Sequence, residues 1–321
     1  MEYRNLGKSD LEVPVISFGC WQFGSVETWG EQSQADSTEA VHAALDCGIN
    51  LFDTAAAYGG GQSEEVLGKA LKGRRSEAII ASKQGSPNPA QIEARCDHSL
   101  KMLGTDVIDL YQIHWARHET PLEDHLEVMH RLRDKGKIRY FGVSNFGLKD
   151  MEITIPYGEH PLVSNQLPYS LLWRAIEDEI NPVLDKNTVG LLCYSPLMQG
   201  LLTGRYKTPD SFPEGRRSTR VFTEDGGKRA FETLAEIEKI SDKAGISMQV
   251  LALHWLLSNK TVSSVITGAR NAKQIRENAA VVDTTVDPQI LNQLTAATDS
   301  LKQAMGPNPD LWRSGSDSLY R

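Results

Sequence analysis

The chain has 321 residues, of which 40% are apolar and 24% are charged, as expected for a globular protein with a substantial core. Its formal net charge of −8 argues against a broad nucleic-acid surface, which would need a basic stripe. None of the four cysteines forms a Cys-x-x-Cys pair, so we expect neither a metal site nor a dithiol centre.

Short apolar runs, typical of buried strands, alternate along the chain with amphipathic runs that are typical of helices. In chain order, the predicted strands are Val15–Gly19, Asn50–Asp53, Ala78–Lys83, Val107–His114, Ile138–Asn145, Leu162–Gln166, Val189–Ser195 and Ser263–Gly268. The predicted helices between them are Asp36–Cys47, Ser63–Leu71, a helix from about Pro89, Leu122–Lys135 and, less regularly, Leu148–Ile155. A short hairpin over Met1–Leu11 is predicted before the first strand, and Ser247–Ser258 and Pro288–Lys302 predict additional helices.

This alternation predicts an α/β fold, a (β/α)8 TIM barrel with an N-terminal hairpin and extra C-terminal helices. The structural alternative is a doubly wound open sheet, which would usually carry G-x-G-x-x-G after its first strand, and that motif is absent. No linker or low-complexity tract divides the sequence, so we expect one domain over residues 1–321.

Two kinds of segment are absent from the sequence. The N-terminus, MEYRNLGKSD, is charged and lacks the apolar run of a secretory signal. No stretch approaches the roughly 18 uninterrupted apolar residues of a membrane span. We therefore expect a cytoplasmic protein that does not insert into a membrane.

Polar side chains stand at the ends of neighbouring predicted strands, where a parallel barrel places its chemistry. The second strand ends at Asp53 with Tyr58 in its loop, the third ends at Lys83, and the fourth ends at His114. Each residue alone would more often be structural, but together they indicate a proton-transfer unit. We expect Lys83 to lower the pKa of Tyr58 from about 10, so that Tyr58 can act as a general acid. Such an acid suits carbonyl reduction, and His114 is expected to hydrogen-bond either the phenol or the substrate oxygen.

The motifs around these residues resemble those of the aldo-keto reductase superfamily over nearly the whole chain. FDTAAAYG is similar to the family's D-T-A-x-x-Y-G signature, and IIASK, YQIH, FGVSNF and CYSPL follow in the family's order. The resemblance implies an NADP-dependent enzyme that reduces aldehydes and some ketones to alcohols by hydride transfer. It also implies that Tyr58 is the proton donor and that Lys83, His114 and Asp53 complete a catalytic tetrad.

The resemblance further implies that the cofactor, NADPH or NADP+, binds in extended form without a dinucleotide fold. The implied cofactor-binding residues are Ser144, Asn145, Gln166, Tyr194, Ser195, Leu197, Gly200, Arg205, Gly268, Arg270, Gln274, Glu277 and Asn278. The first three would hold the carboxamide, and Tyr194 would stack on the nicotinamide ring. Arg270, at a predicted helix start, would pair with a 2′-phosphate, which favours NADP over NAD.

The N-terminal segment and the loop SPLMQGLLTGRY are similar to those of the bacterial and potassium-channel β-subunit-like branch of the family. The alternative function is therefore a nicotinamide-binding regulatory subunit that associates with a membrane partner. A barrel glycosidase is a third reading, but it needs a second acid near Asp53, and Asp106 and Asp109 are not expected to face the mouth together.

The substrate pocket is the least defined part of the site. Trp21 and Trp115 follow the first and fourth predicted strands, and each could equally wall the pocket or pack in the core. The C-terminal segment GPNPDLWRSGSDSLYR could reach the pocket, reach a neighbouring subunit or remain a loose tail. We expect a small-molecule carbonyl substrate and leave a homo-oligomer open.

Overall fold

The computed structural model describes residues 1–321 and contains ten strands and twelve α-helices, joined by short 3-10 turns. Strands β1 to β10 are Tyr3–Asn5, Glu12–Pro14, Ile16–Gly19, Leu51–Asp53, Ile79–Gln84, Ile108–Ile113, Ile138–Ser144, Ser164–Pro168, Gly190–Tyr194 and Val262–Gly268. Helices α1 to α12 are Val26–Trp29, Gln34–Asp46, Gln62–Ala70, Ile92–Leu103, Leu122–Asp134, Leu148–Thr154, Ile180–Asn187, Arg220–Thr223, Lys228–Ala244, Met248–Leu257, Ala272–Ala279 and Pro288–Met305.

Strands β3 to β10 close into a parallel barrel in sequence order, with β10 paired to β3. The strand ends are in register, since Gly19 lies opposite Asp53 and Ser144 lies opposite Gln166. Because parallel strands end at one edge, the residues that follow them surround a common mouth. The predicted (β/α)8 barrel is confirmed.

The helices cover the barrel with their apolar faces. In α5, Leu122, Leu126, Met129 and Leu132 recur at helical spacing, and all four are buried in the main core. The predicted helix Ser247–Ser258 corresponds to α10, which precedes β10 and packs against it. This segment is therefore one of the helices around the barrel, whereas α12 is the expected addition after it. No helix has both the length and the apolar content needed to cross a membrane.

A hairpin closes the end of the barrel opposite the mouth. Strands β1 and β2 pair antiparallel, and Leu6 packs in a small apolar cluster with inward residues of the barrel strands. Gly7 has φ +56°, and a Cβ there would lie 2.2 Å from the Val163 carbonyl oxygen. Glycine therefore allows the turn to approach the start of β8. The hairpin was predicted over Met1–Leu11, but its second strand is Glu12–Pro14 because Leu6 and Leu11 close the turn by a backbone hydrogen bond.

Candidate active site

A buried ion pair lies beneath the mouth of the barrel. The ammonium of Lys83, on β5, donates to Asp53 Oδ1 at 2.6 Å and to the Thr54 carbonyl oxygen at 2.9 Å. Its Nζ also lies 3.4 Å from the hydroxyl oxygen of Tyr58. The structure therefore brings together the acid, the lysine and the phenol that the sequence placed at adjacent strand ends.

The environment sets the protonation states of this group. Burial disfavours the charged form of Lys83, but the Asp53 carboxylate and Tyr58 outweigh burial and raise the pKa of Lys83. Burial also raises the pKa of Tyr58, and this effect exceeds the lowering by Lys83. The expected net lowering of the Tyr58 pKa is thus wrong. Removing the phenolate from water destabilises it more than the nearby ammonium of Lys83 stabilises it. Tyr58 is held as the neutral, proton-bearing phenol.

His114 stands beside the phenol. Its ring centroid lies 5.9 Å from that of Tyr58 at an interplanar angle of 80°, an edge-to-face contact. Burial, with smaller contributions from the charges of Lys83 and Arg117, lowers the pKa of His114 to about 3. The imidazole is therefore neutral near physiological pH and can donate one hydrogen bond without adding charge. The imidazole makes no hydrogen bond to Tyr58. Of the two partners expected for His114, the phenol is therefore not one, and a hydrogen bond to the substrate oxygen stays a prediction.

The other oxygen of Asp53 is held by two amides. Gln166 Nε2 donates to Asp53 Oδ2 at 2.7 Å, and Gln112 Nε2 lies 3.5 Å from the same oxygen. Gln112, on β6, was not predicted, since a lone glutamine within an apolar strand gives no functional signal. The two amides fix the carboxylate that in turn fixes Lys83.

Asn145 joins the residues that follow β7 to the rest of the mouth. Its Nδ2 donates to the His114 carbonyl oxygen at 3.0 Å, and the Tyr194 hydroxyl donates to its Oδ1 at 2.9 Å. Asn145 has φ +61°, a left-handed conformation that non-glycine residues seldom adopt and that clusters at functional sites.

One cavity of about 740 Å³ opens at this mouth. It is lined by Asp53, Tyr58, His114, Trp21 and Trp115 together with every residue of the implied cofactor set. Lys83 does not line the cavity but lies behind Asp53 and Tyr58. The predicted site residues, drawn from most of the chain, thus converge on one place.

The loop after β9 forms one wall of the cavity with an unusual backbone. Ser195, Met198 and Gln199 have φ of 51°, 44° and 53°, and Gly200 has φ +103°. Successive residues in left-handed and right-handed conformations can turn their N–H groups toward one point, which suits an anion. Met198 and Gln199 were not predicted from the sequence, because positive φ at these residue types has no signature.

The wall at the start of α11 is built from side-chain and backbone hydrogen bonds. The Arg270 N–H donates to Gln274 Oε1 at 2.7 Å, and the Arg270 guanidinium donates to the Glu31 carbonyl oxygen. Asn278 Nδ2 lies 3.3 Å from the Gly268 carbonyl oxygen. Arg270 therefore connects this wall to the loop that follows β3.

That loop also contacts the segment after β9. The guanidinium of Arg216 lies 4.4 Å from the centroid of the Trp29 ring, within the range of a cation–π contact. Both residues line the cavity, and neither was predicted. Aromatic residues in a loop with no motif gave no signal of this contact.

The C-terminal segment folds over the mouth. The buried carboxylate of Asp310 accepts the backbone N–H groups of Trp312, Arg313 and Leu319. Trp312 Nε1 lies 3.3 Å from the Tyr194 hydroxyl, and the Tyr320 hydroxyl donates to Asn145 Oδ1 at 2.8 Å. Of the three earlier readings, the structure therefore shows the one in which this segment reaches the pocket.

The glycosidase reading lacks its second acid. Asp109 lies at the beginning of β6, the end of the barrel away from the mouth, where Arg75 and Arg139 hold it. The carboxylates that line the cavity are Asp53 and Glu277. Asp53 is paired with Lys83, so two free carboxylates do not flank one bond here.

Comparison with known proteins agrees with this geometry. The sequence matches a model of the Aldo/keto reductase family over residues 15–299. It is 34% identical to the aldo-keto reductase YhdN of Bacillus subtilis, over 96% of this chain and 97% of YhdN. It is 31% identical to an NADH-specific methylglyoxal reductase of Escherichia coli, over 87% of this chain and 92% of that protein. It is also 31% identical to a probable voltage-gated potassium channel subunit beta of Arabidopsis thaliana, over 98% and 100% of the two chains.

Solved structures of similar fold include two dehydrogenase or reductase enzymes. The glycerol dehydrogenase AKR11B4 of Gluconobacter oxydans superposes with a TM-score of 0.81 at 31% identity, covering 98% of each chain. An aldo/keto reductase of Klebsiella pneumoniae, solved with NADP and acetate, gives a TM-score of 0.72 at 27% identity over 96% of each chain. The match over most of the sequence and the extent of these similarities show that the chain belongs to the aldo/keto reductase family.

Proposed function

We propose that this protein reduces aldehydes and some ketones to alcohols with NADPH, and that Tyr58 donates the proton to the carbonyl oxygen. The observation that supports this most directly is the position of the Tyr58 hydroxyl. It lies on the cavity wall and only 3.4 Å from the buried ammonium of Lys83. A neutral phenol with a cation behind it can give up its proton and be stabilised as it does so.

Each polar group of the tetrad then has one task. A bound nicotinamide cofactor would supply the hydride for the carbonyl carbon. Tyr58 protonates the carbonyl oxygen, and the charge that develops on its phenolate is stabilised by Lys83. Asp53 keeps Lys83 charged and oriented. Neutral His114 lines the cavity beside Tyr58 and can hold the substrate oxygen by a hydrogen bond.

The chain's own residues fit a nicotinamide dinucleotide. The positive-φ backbone at Ser195 and from Met198 to Gly200 is suited to a pyrophosphate, and the Nε of Arg216 is buried there without a hydrogen-bond partner. Ser144, Asn145 and Gln166 line the cavity and are the residues that we expect beside a carboxamide. Residues suited to both ends of such a molecule therefore line the same cavity.

Arg270 supports NADP over NAD. Its guanidinium pairs with no carboxylate and touches the protein through a backbone carbonyl, so donors remain for a 2′-phosphate. One relative, from Escherichia coli, is named as NADH-specific. The preference for NADP therefore differs within the family and has to be measured for this protein.

NADPH oxidation, followed by absorbance against small, sugar-like and long-chain aldehydes, tests the proposal. The same assay is run with NADH in parallel. The variant Tyr58→Phe tests the proton donor, because it removes only the hydroxyl oxygen. We expect turnover with NADPH well above that with NADH, and loss of turnover in Tyr58→Phe. Wild-type turnover in Tyr58→Phe would show that the proton comes from another group.

The alternative is a nicotinamide-binding regulatory subunit, and the similarity to the Arabidopsis channel subunit over the full length favours keeping it. The same assay separates the two functions. NADPH that binds tightly but is not oxidised by any member of the panel would favour the regulatory subunit. Repeated turnover would favour the reductase.

A further inference from the structure

The cavity carries an excess of positive charge. The arginines that line it are Arg117, Arg205, Arg216, Arg270 and Arg313. None of them forms an ion pair with a carboxylate, although ion pairs are common elsewhere in this protein. Because the protein as a whole has a net charge of −8, this local excess is not a consequence of composition. Unpaired guanidinium groups around a concave site indicate anionic ligands.

The proposed cofactor explains three of these arginines. Arg205 and Arg216 belong to the segment after β9, beside the positive-φ backbone that suits a pyrophosphate. Arg270 lies two residues before α11, where we place the 2′-phosphate. Arg117 and Arg313 belong to other parts of the chain and remain unexplained by the cofactor.

Arg117 lies on the catalytic side of the cavity. It is in the loop after β6, three residues beyond His114, and its charge contributes to the lowered pKa of that histidine. The Nε of Arg117 is buried and has no hydrogen-bond partner. A buried donor without a partner is costly unless a ligand completes it.

Arg313 reaches the same side from the C-terminal segment. It follows Trp312, whose ring lies 6.2 Å from that of Trp21, and Trp21 lies 6.1 Å from the ring of Tyr58. Its backbone N–H is held by Asp310, whereas its guanidinium has no hydrogen-bond or ion-pair partner and is exposed at the cavity. The segment thus positions the backbone and leaves the charge for the cavity.

We propose that the preferred substrates are carbonyl compounds that carry a carboxylate or phosphate group, and that Arg117 and Arg313 bind this anion beside Tyr58. This inference rests on the proposed reductase function and narrows its substrate class. The indoles of Trp21, Trp115 and Trp312 also line the cavity and would enclose the carbon skeleton between the anion and the reacting carbonyl. Both kinds of anion accept the paired N–H groups of a guanidinium, so the shared chemistry is an oxyanion.

The test compares matched substrates that differ in charge. Para-carboxybenzaldehyde is compared with its neutral methyl ester, and phosphorylated glyceraldehyde with glyceraldehyde, which separates carboxylate from phosphate. For each pair, the discrimination ratio is kcat/KM of the anionic member divided by that of the neutral member. We expect a ratio well above one for at least one pair. In the double variant Arg117→Gln/Arg313→Gln the ratio should fall by about 10- to 100-fold, as for loss of charge-assisted hydrogen bonds.

Arg95→Gln is the matched control. Arg95 is exposed on α4, forms no ion pair and lies outside the cavity. Its replacement by glutamine therefore removes an arginine charge at a position away from the site. The ratio should keep its wild-type value in this variant. The inference would be overturned by discrimination ratios near one in the wild type, or by a ratio in the double variant equal to that of the wild type. If neutral aldehydes were still reduced in that case, the reductase function itself would stand. If the double variant kept the discrimination ratio but bound NADPH more weakly, the two arginines would belong to the cofactor site, and the inference would again be overturned.

A binding measurement keeps the inference testable if no aldehyde is turned over, the outcome in which the reductase function itself fails. Calorimetric titration with benzoate, and with benzyl alcohol as the neutral comparison, is made on the protein with NADP+ bound. Binding of benzoate that the double variant loses would support the anion site. Equal binding of both compounds, or no benzoate binding at all, would overturn it.

Discussion

Two buried carboxylates, one at each end of the barrel, are both held by cations, yet they have different surroundings. At the closed end, Asp109 accepts hydrogen bonds from the Ile80 N–H at 2.9 Å, from Arg75 at 2.8 Å and from Arg139 at 2.9 Å. At the mouth, Asp53 is held by the ammonium of Lys83 at 2.6 Å.

The difference lies in what the cation does besides binding the acid. Arg75 and Arg139 are 28% and 46% exposed, and they tie strand starts together at the surface. Lys83 is fully buried and reaches past Asp53 to a phenol on the cavity wall. A buried ion pair is therefore a weak sign of function by itself. It becomes informative when one partner also contacts a group that opens to a cavity.

The largest effect is expected from breaking the mouth pair. Lys83→Met should lower kcat/KM by roughly 10²- to 10⁴-fold, since the acid loses the cation that stabilises its phenolate. The unfolding free energy should also fall by about 3–5 kcal/mol, because Asp53 is left buried without a countercharge. Aldehyde reduction and denaturant unfolding measure the two effects.

The double variant Asp53→Asn/Lys83→Met is the control for this prediction. It replaces the pair with neutral groups and should recover stability but not turnover. If turnover returned with stability, the mouth pair would be structural like its counterpart at the closed end.

The matching change at the closed end should affect stability alone. Asp109→Asn leaves Arg75 and Arg139 without a countercharge, and we expect a loss of about 1–3 kcal/mol of unfolding free energy. Turnover should be retained, because the closed end is separated from the cavity by the barrel interior. A large loss of kcat in a variant that remains folded would contradict the assignment of Asp109 to stability alone.

A third effect, confined to one segment, tests whether the mouth depends on the C-terminal segment. A Cβ at Gly147 would lie 2.3 Å from the carbonyl oxygen of Arg321, which accepts the Lys149 N–H. Gly147→Ala should cost about 1–3 kcal/mol of local packing and release the segment. Limited proteolysis at Arg313 should then be faster. Gly85→Ala is the control, since its Cβ meets nothing closer than 4.0 Å, and equal cleavage in both variants would contradict the prediction.

The smallest expected effect concerns pH. Because the pKa of His114 is lowered to about 3, the imidazole stays neutral between about pH 5 and 8, and kcat/KM should show no histidine inflection there. The unfolded chain binds a proton at this residue below about pH 6.5, whereas the folded protein does not. Its contribution to stability is thus present above that pH and is lost as the pH falls toward 3. An inflection near pH 6.5 that His114→Gln removes would contradict this.

The sequence predicted the features whose signals are local. Asp53 and Tyr58 are close in one motif, and the eight strand-like runs show directly in the apolar pattern. The contact between Trp312 and Tyr194 joins residues 118 positions apart, so no local pattern could indicate it. Gln112 was missed for the same reason, because its role depends on the arrangement of β4 beside β6 through β5.

The net direction of the Tyr58 pKa could not be predicted from neighbouring residue types. It depends on how much water the folded chain removes from the phenol, and this exceeds the effect of Lys83. The positive φ at Met198 and Gln199 was equally hidden, since nothing in those side chains demands it. Identities at strand ends indicate which chemistry is available, whereas enclosure and backbone conformation decide its protonation and its ligands.

The position of the C-terminal segment has a practical consequence for how the protein is prepared. Arg321 lies against Gly147 and Lys149, two residues after Leu319, which lines the cavity, so an affinity tag fused there would be placed close to the cavity. Met1 leads into the hairpin at the closed end, far from Tyr58. A tag on the N-terminal side leaves the entrance clear, and kinetic constants from the two fusions are not interchangeable.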